Sequence, residues 1–244
     1  MSAPCLEVAG ITKRFGGLLA NDAISFAAHD GEIVSIIGPN GAGKSTLFSC
    51  ITGFYPPNAG TVRFRGQDIT RLGADRICKL GIARTFQIVQ IITDMTVLEN
   101  VMTGAFLRHA RNGAARARAE EVLRFTGLID KQHMAATALT IADKKRLEVS
   151  MALATGPTLL MLDEAMAGLT PVELKDMIVL IRQVRNSGVT LVIVEHVMEA
   201  VMELSDRVIV INSGRKIVEG PPAEVVRNPE VIQAYLGERY HAGR

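Results

Sequence analysis

An α/β fold built on a largely parallel sheet is predicted by three features of the 244-residue chain. Short apolar runs alternate with segments of helical spacing. One of those runs ends in a glycine-rich loop that opens a helix. Hydrophobic residues make up 48% and charged residues 21%, a globular mix that excludes wholesale disorder. A chain of this length buries roughly 70–75% of its unfolded surface, enough for a sizeable core.

Taken in order, Leu6–Val8, Ile24–Ala27 and Thr61–Phe64 read as short strands of an antiparallel edge layer, parted by turn residues such as Asp30-Gly31. Glu32–Ile37 reads as a buried strand that stops at Gly38, with a helix expected from Lys44 to Thr52. Residues 88–154 lack good strands and are rich in Ala, Arg, Leu and Met at helical spacing, as in Ala114–Phe125 and Lys144–Ala154. They are expected to form a helical insert between two halves, 1–87 and 155–244, of one α/β core. The arginines of 108–118 read as a solvated face. Leu159–Leu162 is a second buried strand. The helix after it has Thr170 as cap, Pro171 at its first position and Gly188 at its close. Thr190–Val194 is a third buried strand, and Val208–Ile211 with Lys216–Val218 form a hairpin around Ser213-Gly214.

Several function classes are disfavoured. Twenty-seven basic and 25 acidic residues leave a net charge of +2, so there is no basic excess for a nucleic-acid partner. The three cysteines, Cys5, Cys50 and Cys78, form no C-x-x-C and suit a reducing cytosol better than a disulfide or zinc framework. No signal peptide opens the sequence, and no run of 18 apolar residues could span a bilayer. A membrane role would come through a partner.

Gly38-Pro39-Asn40-Gly41-Ala42-Gly43-Lys44-Ser45 matches G-x-x-x-x-G-K-[ST] at every defined position, between a strand and a helix. Such glycines let backbone N–H groups turn inward around phosphate oxygens, and the helix N-terminus adds its positive dipole end. Lys44 can reach the β- and γ-phosphates, and Ser45 can ligate Mg²⁺. Asp163-Glu164 closes the second buried strand. There Asp163 can hold Mg²⁺ through water, and Glu164 can polarise an attacking water.

With these motifs in this order, the chain resembles the ATP-binding subunit of ABC transporters over nearly its whole length. The resemblance implies a P-loop NTPase (RecA-like) core with an N-terminal antiparallel layer and a helical insert. ATP and Mg²⁺ would be its ligands. It implies that Phe15, in Lys13-Arg14-Phe15-Gly16, stacks on adenine, and that Gly38 through Ser45, with Thr46, cradle the phosphates. Ser45, Gln87 and Asp163 would face the metal, Gln87 also sensing a membrane partner. Glu164 would be the catalytic base, His196 a γ-phosphate contact, and Lys44 a catalytic cation. Ala83–Gln87, Met95–Asn100, Met166–Leu169 and Ala234–Gly237 resemble the ATPases of branched-chain or hydrophobic amino acid importers. Related urea and lipopolysaccharide transport ATPases share several of these strings.

Three positions depart from the pattern. Leu139-Thr140-Ile141-Ala142-Asp143 stands where the signature L-S-G-G-Q is expected, Thr170 replaces an aspartate, and Val197 follows the histidine. Thr140 and Ala142 are still expected to face nucleotide held by an opposite chain. Thr140-x-x-Asp143 also has capping-box spacing, which would turn Asp143 back to the Thr140 N–H. The implied partners are a second ATPase subunit, self or paralogue, and integral-membrane permeases, with a solute-binding protein acting indirectly. The chain would then sit on the inner face of the plasma membrane. A nucleotide-sensing module with weak hydrolysis remains the alternative, as does a soluble ABC ATPase acting on ribosomes or DNA. The second of these usually carries two cassettes or a long coiled-coil insert, and neither is present.

Overall fold

The computed structural model describes residues 3–233. From the N-terminus, β1 (Leu6–Phe15), β2 (Leu18–Ala28) and β3 (Ile33–Ile37) lead into α1 (Lys44–Ile51). Next come β4 (Ala59–Phe64), β5 (Gln67–Asp68), α2 (Ala74–Leu80) and β6 (Ile82–Arg84). Three helices follow: α3 (Val97–Ala105), α4 (Asn112–Thr126) and α5 (Ile141–Ala154). The chain then returns through β7 (Leu159–Asp163), α6 (Pro171–Asn186), β8 (Thr190–Val194) and α7 (Met198–Leu204). It closes with β9 (Arg207–Asn212), β10 (Arg215–Gly220) and α8 (Pro222–Val225).

Two sheets form. One is antiparallel, in the order β2-β1-β4-β5, and the other runs β10-β9-β3-β8-β7-β6. In the second, every pairing from β9 to β6 is parallel, and β10 is an antiparallel edge. The continuous apolar runs of β7 and β8 follow from burial on both faces. Leu160, Leu162, Leu191 and Ile193 point into a core shared with α3 to α6. Leu159, Met161, Val192 and Val194 point the other way, into a core shared with α1 and the antiparallel sheet. The register pairs Ile36 with Val194 and Val194 with Asp163. The carboxyl ends of β3, β8 and β7 are therefore level, and three successive loops emerge along one edge, the usual place for a ligand in an open α/β sheet.

Some elements differ from the sequence reading. β1 and β2 are 10 and 11 residues long and meet across Gly16-Gly17. Register shifts between Val8 and Ile11 and between Ile11 and Lys13 break the period-two alternation, which is why only short pieces of them looked like strands. Helix α5 begins at Ile141, since Thr140 caps it, and α4 extends from Asn112 to Thr126. The strand β6, three residues long, and α2 carry too little periodicity to read. Along α4 the arginines pair with their own helix, Arg116 with Glu120 and Arg118 with Glu121, each at 2.9 Å. Cys5 and Cys50 are buried, Cys78 is half-buried, and all three are free thiols.

Thr170 gives α6 a full capping box. Its hydroxyl accepts from the Glu173 N–H, and the Glu173 carboxylate accepts from the Thr170 N–H at 2.8 Å. Thr170→Ala is expected to lower folding stability by about 1 kcal/mol. The check is the urea midpoint at unchanged slope; an unmoved midpoint would show the cap to be idle.

Candidate nucleotide site

The loop after β3 is held by contacts that only glycine permits. A Cβ on Gly38 would lie 1.9 Å from the Ile211 carbonyl oxygen, and one on Gly43 would lie 2.2 Å from that of Ala20. Both sites have positive φ as well. Asn21, fully buried on β2, donates through Nδ2 to the Gly43 carbonyl at 3.0 Å. The Gly214 N–H donates to the Ala42 carbonyl at 3.0 Å. Lys44 folds over the loop, its Nζ donating to the carbonyls of Gly38 at 2.7 Å and Pro39 at 2.9 Å. Gly38 and Pro39 are buried beneath a cleft of about 710 Å³. Its lining includes Phe15, Asn40 through Thr46, Gln87 and Glu164. Ser213, Gly214 and Ala20 line it too; the sequence marked the first two only as a hairpin turn. Phe15 is 41% exposed, so it is no core residue; it meets Tyr55 edge-on at 5.4 Å, and Lys13 lies 5.0 Å from its ring.

Opposite the loop, β7 delivers its two carboxylates to different surroundings. Asp163 is 2% exposed. Its Oδ2 accepts from Arg84 Nη2 at 3.1 Å, and its Oδ1 is buried with no hydrogen-bond partner. Burial pushes its pKa up, and the Arg84 charge pulls it back. Glu164 turns into the left-handed region, φ 53°. Its Oε2 accepts from Gln87 Nε2 at 3.0 Å, and its Oε1 lies 3.8 Å from His196 Nδ1. Lys145 of α5 donates to the Glu164 carbonyl at 2.7 Å, tying the helical segment to this turn. Glu195, beside the histidine, was not singled out in the sequence. It is 1% exposed, and its carboxylate accepts from the Met166 N–H at 2.8 Å and the His196 N–H at 3.3 Å. It staples the loop after β8 to the loop after β7.

Thr140 and Ala142 do not line this cleft; Thr140 caps α5 and Ala142 lies in its first turn. The expected return of Asp143 to the Thr140 N–H is corrected here. Thr140 Oγ1 does accept from the Asp143 N–H, at 3.1 Å, but the Asp143 carboxylate pairs with Lys131 Nζ at 2.5 Å. An ammonium offers it a stronger partner than a neutral backbone N–H.

A second cleft, of about 290 Å³, opens between the sheet and α3 with α5. Phe54, Arg84, Phe86, Gln90, Glu148 and Met151 are among its walls. The segment after Gln87 borders it. Ile88 is 76% exposed and Ile92 40%, whereas Ile91 packs on the helical core. Asn100 is buried and pins this segment, accepting from the Ile92 N–H at 2.8 Å and donating to its carbonyl at 3.0 Å. Glu148 accepts from the Phe86 N–H at 2.8 Å. Burial raises its pKa from the ordinary 4.5 to about 7.

Between those two values the native state keeps a proton that the unfolded chain has released. This group's contribution to stability therefore falls as pH rises from 4.5 to about 7, and levels off above. Glu148→Gln keeps the acceptor for Phe86 and abolishes the titration. Its melting temperature relative to the parent is expected to climb between about pH 5 and about pH 7.5. Parallel profiles would mean that Glu148 titrates alike in both states.

A family model described as ABC transporter matches residues 21–167, and one described as branched-chain amino acid ATP-binding cassette transporter matches residues 215–241. Within the latter, Ala234–Gly237 lies outside the described residues. The chain is 42% identical to the high-affinity branched-chain amino acid transport ATP-binding protein LivG of Escherichia coli, over 98% of this chain and 100% of that one. It is 40% identical to BraF of Pseudomonas aeruginosa, a protein of the same description, over 98% and 100%. Among solved structures, the ADP conformation of MJ1267, an ATP-binding cassette of an ABC transporter, superposes with a TM-score of 0.88 at 31% identity, over 97% of this chain and 100% of that one. The chain belongs to the ABC transporter family, as one of its ATP-hydrolysing cassettes.

Proposed function

We propose that two copies of this chain, or one copy and a paralogue, close around two ATP molecules and drive permease subunits that import branched-chain or other hydrophobic amino acids. The observation that carries the nucleotide reading is the meeting, at one sheet edge, of the Gly38–Thr46 loop with Gln87, Glu164 and His196. The names of the two relatives above, and the match at 215–241, support the solute class. No helix among the described residues is long and apolar enough to cross a membrane. The cleft walled by Phe54, Phe86 and Met151 is the proposed seat of a permease loop at the inner face of the plasma membrane.

In this reading Phe15 stacks on adenine. The N–H groups of 40–46 bind phosphate oxygens, and Lys44 turns from its own loop carbonyls to the β- and γ-phosphates. Glu164 takes the proton of the attacking water as its oxygen bonds to the γ-phosphorus and the bridging oxygen leaves with ADP. Gln87, bonded to Glu164, orients that carboxylate, and His196 contacts the γ-phosphate. A divalent cation fits the residues present, because the orphaned Asp163 Oδ1 is a buried acceptor. Ser45, Gln87 and Asp163 would hold Mg²⁺ with the phosphates, and it would supply neutralising charge there.

The substituted signature stays functional in this account. Lys131 offsets the Asp143 carboxylate, which would otherwise repel the opposite chain's γ-phosphate.

Glu164→Gln is expected to bind ATP, to slow turnover by about 10²–10⁴-fold, and to accumulate an ATP-bound dimer. Size-exclusion chromatography with light scattering reads the dimer, and phosphate release reads the rate. In that background Lys131→Met is expected to weaken dimerisation, and Asp143→Gln added to it to restore it. Unchanged turnover in Glu164→Gln would move the base elsewhere, and a dimer indifferent to Lys131 would place that ion pair away from the interface.

A further inference from the structure

Arg84 closes β6 with a guanidinium that is engaged on every nitrogen. Nε donates to the Thr85 carbonyl at 3.2 Å, Nη1 to the hydroxyls of Ser49 and Thr52 at 3.3 Å each, and Nη2 to Asp163 Oδ2 at 3.1 Å. The side chains of Arg84 and Asp163 are 8% and 1% exposed. Three rings surround the cation: Phe86 at 4.7 Å, Phe54 at 5.4 Å and Phe48 at 6.0 Å. The planar fork makes this possible, since an ammonium could not meet the Thr85 carbonyl, the hydroxyls of Ser49 in α1 and Thr52 just past it, and a carboxylate at once.

Two sites share this side chain. On one side, Arg84 fixes Oδ2 of Asp163 and so sets the direction of the unpartnered Oδ1. On the other, Arg84 is part of the wall of the cleft between sheet and helices, together with Phe54, Phe86 and Glu148. Phe54 and Phe86 meet edge-on at 5.6 Å, and Phe54 is 48% exposed. A body entering the cleft would press on these rings, and the guanidinium beneath them is one hydrogen bond from the carboxylate.

We propose that Arg84 is a positioning residue that orients Asp163 for the metal of the ATP complex, and that its aromatic stack makes this orientation respond to what fills the cleft. The proposal rests on the ATP reading of the P-loop cleft. It gives the permease-side surface a route to the metal site that runs beside Gln87 and does not require it. A buried carboxylate deprived of its partner is costly and free to reorient, so loss of Arg84 acts on the metal before it acts on the nucleotide.

The test uses the full chain with Glu164→Gln, in which turnover is expected to be slow. Mn²⁺ is the probe metal, its free concentration read by electron paramagnetic resonance at saturating ATP. ATP affinity is titrated separately in EDTA. Arg84→Met is expected to weaken Mn²⁺ binding about tenfold or more, the usual effect of losing a group that orients a metal ligand. Its metal-free ATP affinity is expected to stay within about twofold. Phe54→Ala, on the cleft side of the stack, is expected to weaken Mn²⁺ binding by about two- to fivefold, as for a lost cation–π contact, at unchanged melting temperature. Thr52→Val, which removes one anchor and keeps the charge, is expected to weaken Mn²⁺ binding by less than Arg84→Met. Should Arg84→Met fail to fold, these two variants decide: unchanged Mn²⁺ affinity in both overturns the proposal. It is equally overturned if Mn²⁺ and metal-free ATP affinities fall together, because a purely structural role predicts that. Absence of ATP binding in the parent would instead overturn the reading of the cleft itself.

Discussion

Parallel pairing of β3 with β8, and of β8 with β7, is the constraint on which the rest of the molecule depends. The pairing sets Ile36, Val194 and Asp163 level. It follows that the phosphate loop, the Asp163-Glu164 turn and the Glu195-His196 turn leave the sheet side by side. Parallel strands need both faces covered. One face is covered by the antiparallel sheet and α1, and the other by the helices of the middle segment and α6. Burial of the strands and convergence of the polar loops are thus one event, because apolar side chains that alternate between two cores leave only the strand ends for chemistry.

Charge at that edge is handled by pairing. Asp163 is matched by Arg84, and the Glu195 carboxylate accepts two backbone N–H groups. Burial pushes the pKa of Glu195 up, and those N–H groups draw it back. Glu164, by contrast, meets a neutral amide from Gln87 and lies beside His196. Glu164, the proposed base, is left without a fixed cation on its oxygens, while Asp163, the proposed metal ligand, is partly neutralised and keeps one oxygen open.

How much of this was legible in the sequence depends on the range of each interaction. The phosphate-loop motif is local, eight residues from the end of a strand into the first turn of a helix, and its glycines and lysine announce themselves. Asp163-Glu164 stood out because it directly follows an unbroken apolar run of strand length, whereas His196, one residue past such a run, stood out only through the family resemblance. Arg84 was not, because its partner lies 79 residues away and nothing in its own neighbourhood marks it. The Asp143–Lys131 pair spans 12 residues across an irregular stretch, and the local cap spacing argued for a different partner. Gly214 against Ala42 was invisible for the same reason: a hairpin turn declares its own shape and not what it will touch. Long strands with bulges were under-read because a one-residue shift reverses the alternation on which strand recognition rests.

The central claim is that this sheet edge forms a single ATP site in which Lys44 supplies the mobile cation. Isothermal titration of the purified chain with ATP and excess Mg²⁺, parent against Lys44→Ala, tests it most directly. The account predicts that the variant keeps its melting temperature in the absence of nucleotide and loses about tenfold or more in ATP affinity. Equal affinity in the two proteins would contradict it.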